Sequence, residues 1–143
     1  MKTWLKWSLV TLVVGALSFS LDQVIWPVQP GAAQAPGGLL PLFILLYALE
    51  SLSFGLGVAF LAFGRPLLNR MGRSAPLTAA AYLSVAWLLV NWWPHDNLHR
   101  VVGLDWSRLL LIEYSFHLPL LAAGAVLAWF FVSLPSREST ATS

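Results

Sequence analysis

Four unbroken apolar stretches, each long enough to cross a bilayer as a helix, govern what this chain can fold into. Crossing about 30 Å of hydrocarbon takes about 20 helical residues, and the stretches run near residues 5–26, 39–63, 76–93 and 106–134. A transmembrane β-barrel would instead show alternating strands of about ten residues each. With 10% charged residues among 143 and a mean hydropathy of +0.73, against about 25% charged in a soluble domain, little sequence is left for an aqueous unit. The expected fold is an all-α integral membrane protein. It forms a single four-helix transmembrane domain over residues 1–134, with residues 135–143 as a polar, disordered cytoplasmic tail.

Cation placement sets the expected orientation. Lys2 and Lys6 precede the first span, Arg65, Arg70 and Arg73 fill the second connection, and Arg137 follows the last span, whereas the first connection has neither Lys nor Arg. Both termini are therefore expected in the cytoplasm and residues 94–105 outside, in a plasma or inner membrane. Tryptophans agree: Trp4, Trp7 and Trp129 belong to one interface, and Trp26, Trp92, Trp93 and Trp106 to the other. A cleaved signal peptide competes for the first span, through Lys2, Lys6 and the Ala33-Gln34-Ala35 triplet. The apolar run exceeds a typical signal core, and Trp26, Pro27 and Pro30 set the triplet too far from it, so a retained helix is the better expectation.

Composition also excludes chemistry. Without cysteine there is no thiol relay, disulfide or thiolate metal site. The net charge of +2 reflects the cytoplasmic arginines, and no basic stripe with interleaved aromatics suggests nucleic acid. The expected partners are the lipid bilayer and either further copies of the chain or a larger membrane complex. Small residues four apart, Ser51, Gly55 and Ala59 on the second span and Gly124 and Ala128 on the fourth, are expected to mark faces where helices approach closely.

Against this apolar background, all three histidines and half of the six acidic residues fall between Trp92 and His117. Ionisable groups in a membrane are costly and mark functional sites by default. His95 and His99 are four apart, as are Glu113 and His117, and on a helix that spacing projects both side chains from one face. Imidazole and carboxylate donors in such a set suit zinc, iron, copper or manganese. His95, His99, Glu113 and His117 are thus the candidate metal ligands, provided the segment after Pro94 folds into the mouth of the bundle. At the interface His95 and His99 are also satisfied by water and headgroups alone, whereas Glu113 and His117 lie deep enough to weigh toward function. Asp105 is placed to cap the helix starting at Trp106.

At 1.5 Å per residue, Glu50 lies about 16 Å below Leu39 and His117 about 16 Å below Trp106. Tyr82, counted down from Trp93, comes to a similar level. The expectation is one buried polar layer of Glu50, Tyr82, Glu113 and His117, with Glu50 and Glu113 as candidate general bases. Only His117 is deep among the histidines, so a bis-histidine haem within the membrane is not expected.

Three functional classes follow. The leading one is transition-metal binding for redox or metal-assisted chemistry on a lipid-soluble or small substrate. The second is a small proton- or cation-coupled carrier using Glu50, Glu113 and His117. In the third, a noncatalytic subunit or assembly factor, the polar layer only fixes helix register.

Overall fold

The computed structural model describes residues 2–28 and 37–133, and these are helical with no strand. The elements are α1 (Thr3–Ile25), a 3-10 turn (Gly37–Leu39), α2 (Leu40–Phe63), α3 (Arg65–Asn69), α4 (Ala75–Val90), α5 (Trp92–Val102) and α6 (Trp106–Val132). Helices α1, α2 and α6 are each long and apolar enough to cross a membrane, and the bent pair α4 and α5 is a fourth candidate span. The Ala33-Gln34-Ala35 triplet and the tail from residue 134 lie outside the described residues.

Burial is inverted relative to a soluble protein. Leu12, Leu17, Leu42, Leu45, Leu111 and Leu121 are exposed, while Ser18, Asp22, Glu50, Ser51, Thr78, Ser84, Asn91 and Asn97 are buried. An exterior of leucine around a polar interior is stable in lipid and not in water. The chain is a helical membrane protein.

Helices α1 and α2 form the closest pair, because their contact is made of small residues. A methyl group placed on Gly55 would lie 2.3 Å from the Thr11 carbonyl oxygen and 2.8 Å from the Gly15 amide nitrogen. Ser51, Gly55 and Ala59 all face inward and are buried, as their spacing predicts. The pair on α6 differs: Gly124 and Ala128 are exposed, and nothing lies within 4 Å of a side chain added at Gly124. Helix α6 packs on α4 through a different face, carrying Ala123 and Phe130, so the Gly124 stripe points away from the bundle. At the end where α2 finishes, Phe60, Leu68, Ala81 and Phe130 form an apolar core with Trp7 and Tyr82 against it. There Arg73 donates to the Phe130 carbonyl at 3.3 Å.

The third apolar run does not continue straight to Trp93. Helix α4 stops at Val90, and α5 departs from its axis by 46°. The cause is local: the carbonyl of Val90 would need the amide hydrogen of residue 94, and Pro94 has none. Proline is tolerated in the first turn of a helix, so α5 starts at Trp92 and its ladder resumes with the His95 amide donating to the Asn91 carbonyl at 3.0 Å. Gly103, at φ +60°, ends α5 in a backbone conformation that a side chain would strain. Asp105 then caps α6, accepting from the amides of Ser107 at 3.1 Å and Arg108 at 3.2 Å. A three-residue connection thus folds α5 back against the first turns of α6.

Candidate metal centre

The α5–α6 hairpin brings together the four donors whose spacing singles them out. His95 and His99 share one face of α5, and their Nε2 atoms are 3.1 Å apart. From α6, the carboxylate of Glu113 reaches both ways, with Oε1 3.3 Å from His99 Nε2 and Oε2 2.7 Å from His117 Nδ1. The ring of His95 lies 5.1 Å from that of His117, nearly perpendicular to it. One donor atom from each of His95, Glu113 and His117 can be chosen so that all lie within 4.8 Å of one another. A metal held 2.0–2.1 Å from each ligand keeps neighbouring donors of a tetrahedral set about 3.3 Å apart. His99 stands beside this group of three, joined to His95 and Glu113 by the contacts of 3.1 and 3.3 Å.

Local forces preset this arrangement. His117 Nδ1 also lies 3.0 Å from the carbonyl of Glu113, one turn earlier on α6. The imidazole of His95 is packed against Phe116 at 5.1 Å, and Phe116 in turn against Trp87 of α4 at 5.6 Å. Aromatic contact at these centroid distances restricts the ring without consuming its nitrogens.

The cluster is open on one side. The side chains of Glu113 and His117 are each 48% exposed, so they are not part of a buried layer as their depth alone suggests. Asn91, Trp92, His95, Phe116, His117 and Leu120 line a small pocket of about 40 Å³ beside the cluster. A separate groove of about 510 Å³ runs between α4 and α6, walled by Leu83, Ser84, Trp87, Pro119, Ala122 and Ala123.

Two residues expected in the same layer lie elsewhere. Tyr82 hydrogen bonds the carbonyl of Leu61 and stacks on Phe60, near the far end of α2. Counting down from Trp93 misplaces it, because Trp93 is buried against Tyr47 and Phe54, on either side of Glu50, and so already lies at the level of Glu50. Glu50 is buried on α2, but the charges that face it are Asp22, Asp96 and Arg100, and α2 does not pack on α6. It therefore occupies a second polar cluster, on the other side of α5.

That second cluster contains the residues that sequence reasoning missed. Arg100 Nη1 donates to Asp22 Oδ2 at 3.0 Å and to Asn97 Oδ1 at 2.9 Å, and its guanidinium lies 5.9 Å from the centre of the Tyr47 ring. Trp93 Nε1 donates to the Tyr47 hydroxyl at 3.0 Å. Asp22 is 3% exposed and Asn97 fully buried. The signal was available, since Asp22 is the one carboxylate within the first apolar run, and an acid at that position demands a partner. Trp93, Asn97 and Arg100, at helical spacing, form the face of α5 opposite His95 and His99.

No protein-family model, curated protein or solved structure matches this chain. Its class is defined by its own architecture: a helical membrane protein with a histidine and carboxylate cluster held between α5 and α6.

Proposed function

We propose that this protein binds one transition metal ion through His95, Glu113 and His117, with His99 as a fourth donor, for redox or metal-assisted chemistry on a lipid-soluble or small substrate. The observation that carries this reading is the convergence of donors from two helices, one atom from each of His95, Glu113 and His117 lying within 4.8 Å of the others. Mixed imidazole and carboxylate donors favour zinc, iron, copper or manganese.

The open side of the cluster supports a reactive rather than a sealed ion. A pocket of about 40 Å³ at His95 and His117 has room for a water or a small polar group, and a position of this kind distinguishes catalytic from structural metal sites. The groove between α4 and α6 is lined mainly by apolar residues, which suits a substrate dissolved in lipid. With the orientation expected from the cations, the centre works on the outward side of the membrane. Glu113 is better placed than Glu50 to exchange protons with a metal-bound group, because Glu50 lies across α5 from the cluster.

Cobalt substitution tests the reading. Co(II) added to metal-free protein should give the visible absorption of a low-symmetry imidazole and carboxylate site at one ion per chain, and His95→Ala should change that spectrum. A spectrum identical to that of Co(II) in detergent buffer would overturn it.

A further inference from the structure

The cluster between α1, α2 and α5 holds a charge imbalance that the metal centre does not explain. Asp22 and Glu50 are 3% and 8% exposed, and each is placed by a helix whose outer surface is leucine-rich. Arg100 commits its Nη1 to Asp22 and Asn97. Glu50 Oε2 and Asp22 Oδ1 are each buried without a hydrogen-bond partner among the described residues, but Asp22 Oδ2 is held by Arg100.

The elements packed on α2 are α1, α3, α4 and α5. Asp22 of α1 and Asp96 and Arg100 of α5 are the charges that act on Glu50, and Arg100 lies 5.9 Å from the ring of Tyr47, one turn before Glu50. Tyr82, the titratable group of α4, is engaged at Leu61, and the arginines of the α3 region lie at the opposite end of α2. Tyr47, one turn before Glu50 on α2 itself, accepts from Trp93. Arg100 is hydrogen bonded to Asp22, and no hydrogen bond joins it to Glu50 among the described residues. An ionised carboxylate left without a cation in an apolar interior is far costlier than a neutral carboxyl in the same place.

We propose that Asp22, Arg100 and Glu50 form a one-proton site within the bundle, in which Arg100 is held by Asp22 and Glu50 carries the bound proton. The bond made and broken is the O–H of the Glu50 carboxyl, exchanging with water, and no other group changes charge. The site requires no metal and lies on the face of α5 opposite His95 and His99, so it stands independently of the metal centre.

The test is labelling of the full-length protein in mild detergent with a lipid-soluble carbodiimide, which reacts with protonated carboxyls in apolar surroundings, followed by peptide mass spectrometry. At neutral pH, Glu50 should be modified toward one label per chain and Asp22 left unmodified. Glu50→Gln should remove that label, and Arg100→Gln should bring labelling onto Asp22. The same pattern is expected in His117→Ala. Wild-type protein needs no substitution to give the decisive result, and an infrared carbonyl band of a neutral carboxyl, lost in Glu50→Gln, gives a second measure. Glu50 left unlabelled with no such band would overturn the proposal. Protection of Glu50 by sodium or potassium at constant pH would also overturn it, because the bound cation would then be a metal ion and not a proton.

Discussion

Glu113 Oε1 lies 3.3 Å from His99 Nε2, across the junction of two helices that meet only because Pro94 bends the chain and Gly103 turns it back. Through this contact the carboxylate on α6 is tied to the imidazole pair on α5. In the proposed centre His95, Glu113 and His117 act as one set with His99 beside them, and substitution of the three should have similar effects.

His95→Ala and His117→Ala are expected to weaken metal binding comparably, each by at least about tenfold, since a change even in the groups that orient a ligand costs about 10–100-fold. The sequence alone would rank His117 above His95 by depth. His99→Ala should cost less than either. Isothermal titration of metal-free protein measures all three, and retention of wild-type affinity in His95→Ala would remove α5 from the centre.

Protons should compete with the metal. Burial, with His99 and His117 beside it, holds the His95 imidazole below the ordinary imidazole range, and a ligand must be neutral to bind. Affinity therefore falls as the pH drops and protons take the imidazole nitrogens, with protons taken up as the ion is released. Competition titrations across this range check the sign. Affinity independent of pH between about 5 and 7 would leave the histidines without a role as ligands.

The Asp22–Arg100 pair fastens α5 to α1, although the helix backbones do not pack directly. Asp22→Asn or Arg100→Gln alone should each destabilise by about 1–3 kcal/mol, the range for a hydrogen bond to a charged group with one end buried. Together they should cost less than the sum, because the second change removes a charge already stranded by the first. Thermal unfolding in detergent of the two single variants and the double variant gives this cycle, and strict additivity would show that the pair is not coupled.

Glycines on different helices should respond oppositely. Gly55→Ala forces a methyl into the Thr11 backbone at 2.3 Å, so α1 and α2 must separate, at about 1–3 kcal/mol. Gly124→Ala meets open space and should be neutral or stabilising by up to about 1 kcal/mol, from helix propensity. The comparison uses the same unfolding assay.

Much of this architecture is legible in the sequence because hydrocarbon thickness dictates the length of an apolar run. The ends of α1, α2 and α6 follow from it, as does the Asp105 cap from its place before Trp106. Depth arithmetic fails where its starting residue is buried. Trp93, the starting point of the count, is buried at the level of Glu50 and leaves Tyr82 well below it, while the break at Asn91 lets α5 carry His95 and His99 onto α6. Pro94 announces that break, but the direction of the bend is decided by packing of Trp93 against Phe54 and Trp26, contacts between residues far apart in sequence. The partnership of Asp22 with Arg100, 78 positions away, is hidden for the same reason. Spacing identifies ligands on one helix, and it is silent on which two helices will share them.

Elemental analysis of the protein as purified in mild detergent, without a histidine tag and without added chelator, tests the central claim most directly. Near-stoichiometric zinc, iron, copper or manganese per chain, lost in both His117→Ala and His95→Ala while the variants retain their helical spectrum, is the predicted result. Metal-free protein that also fails to take up any of these ions on titration would contradict it.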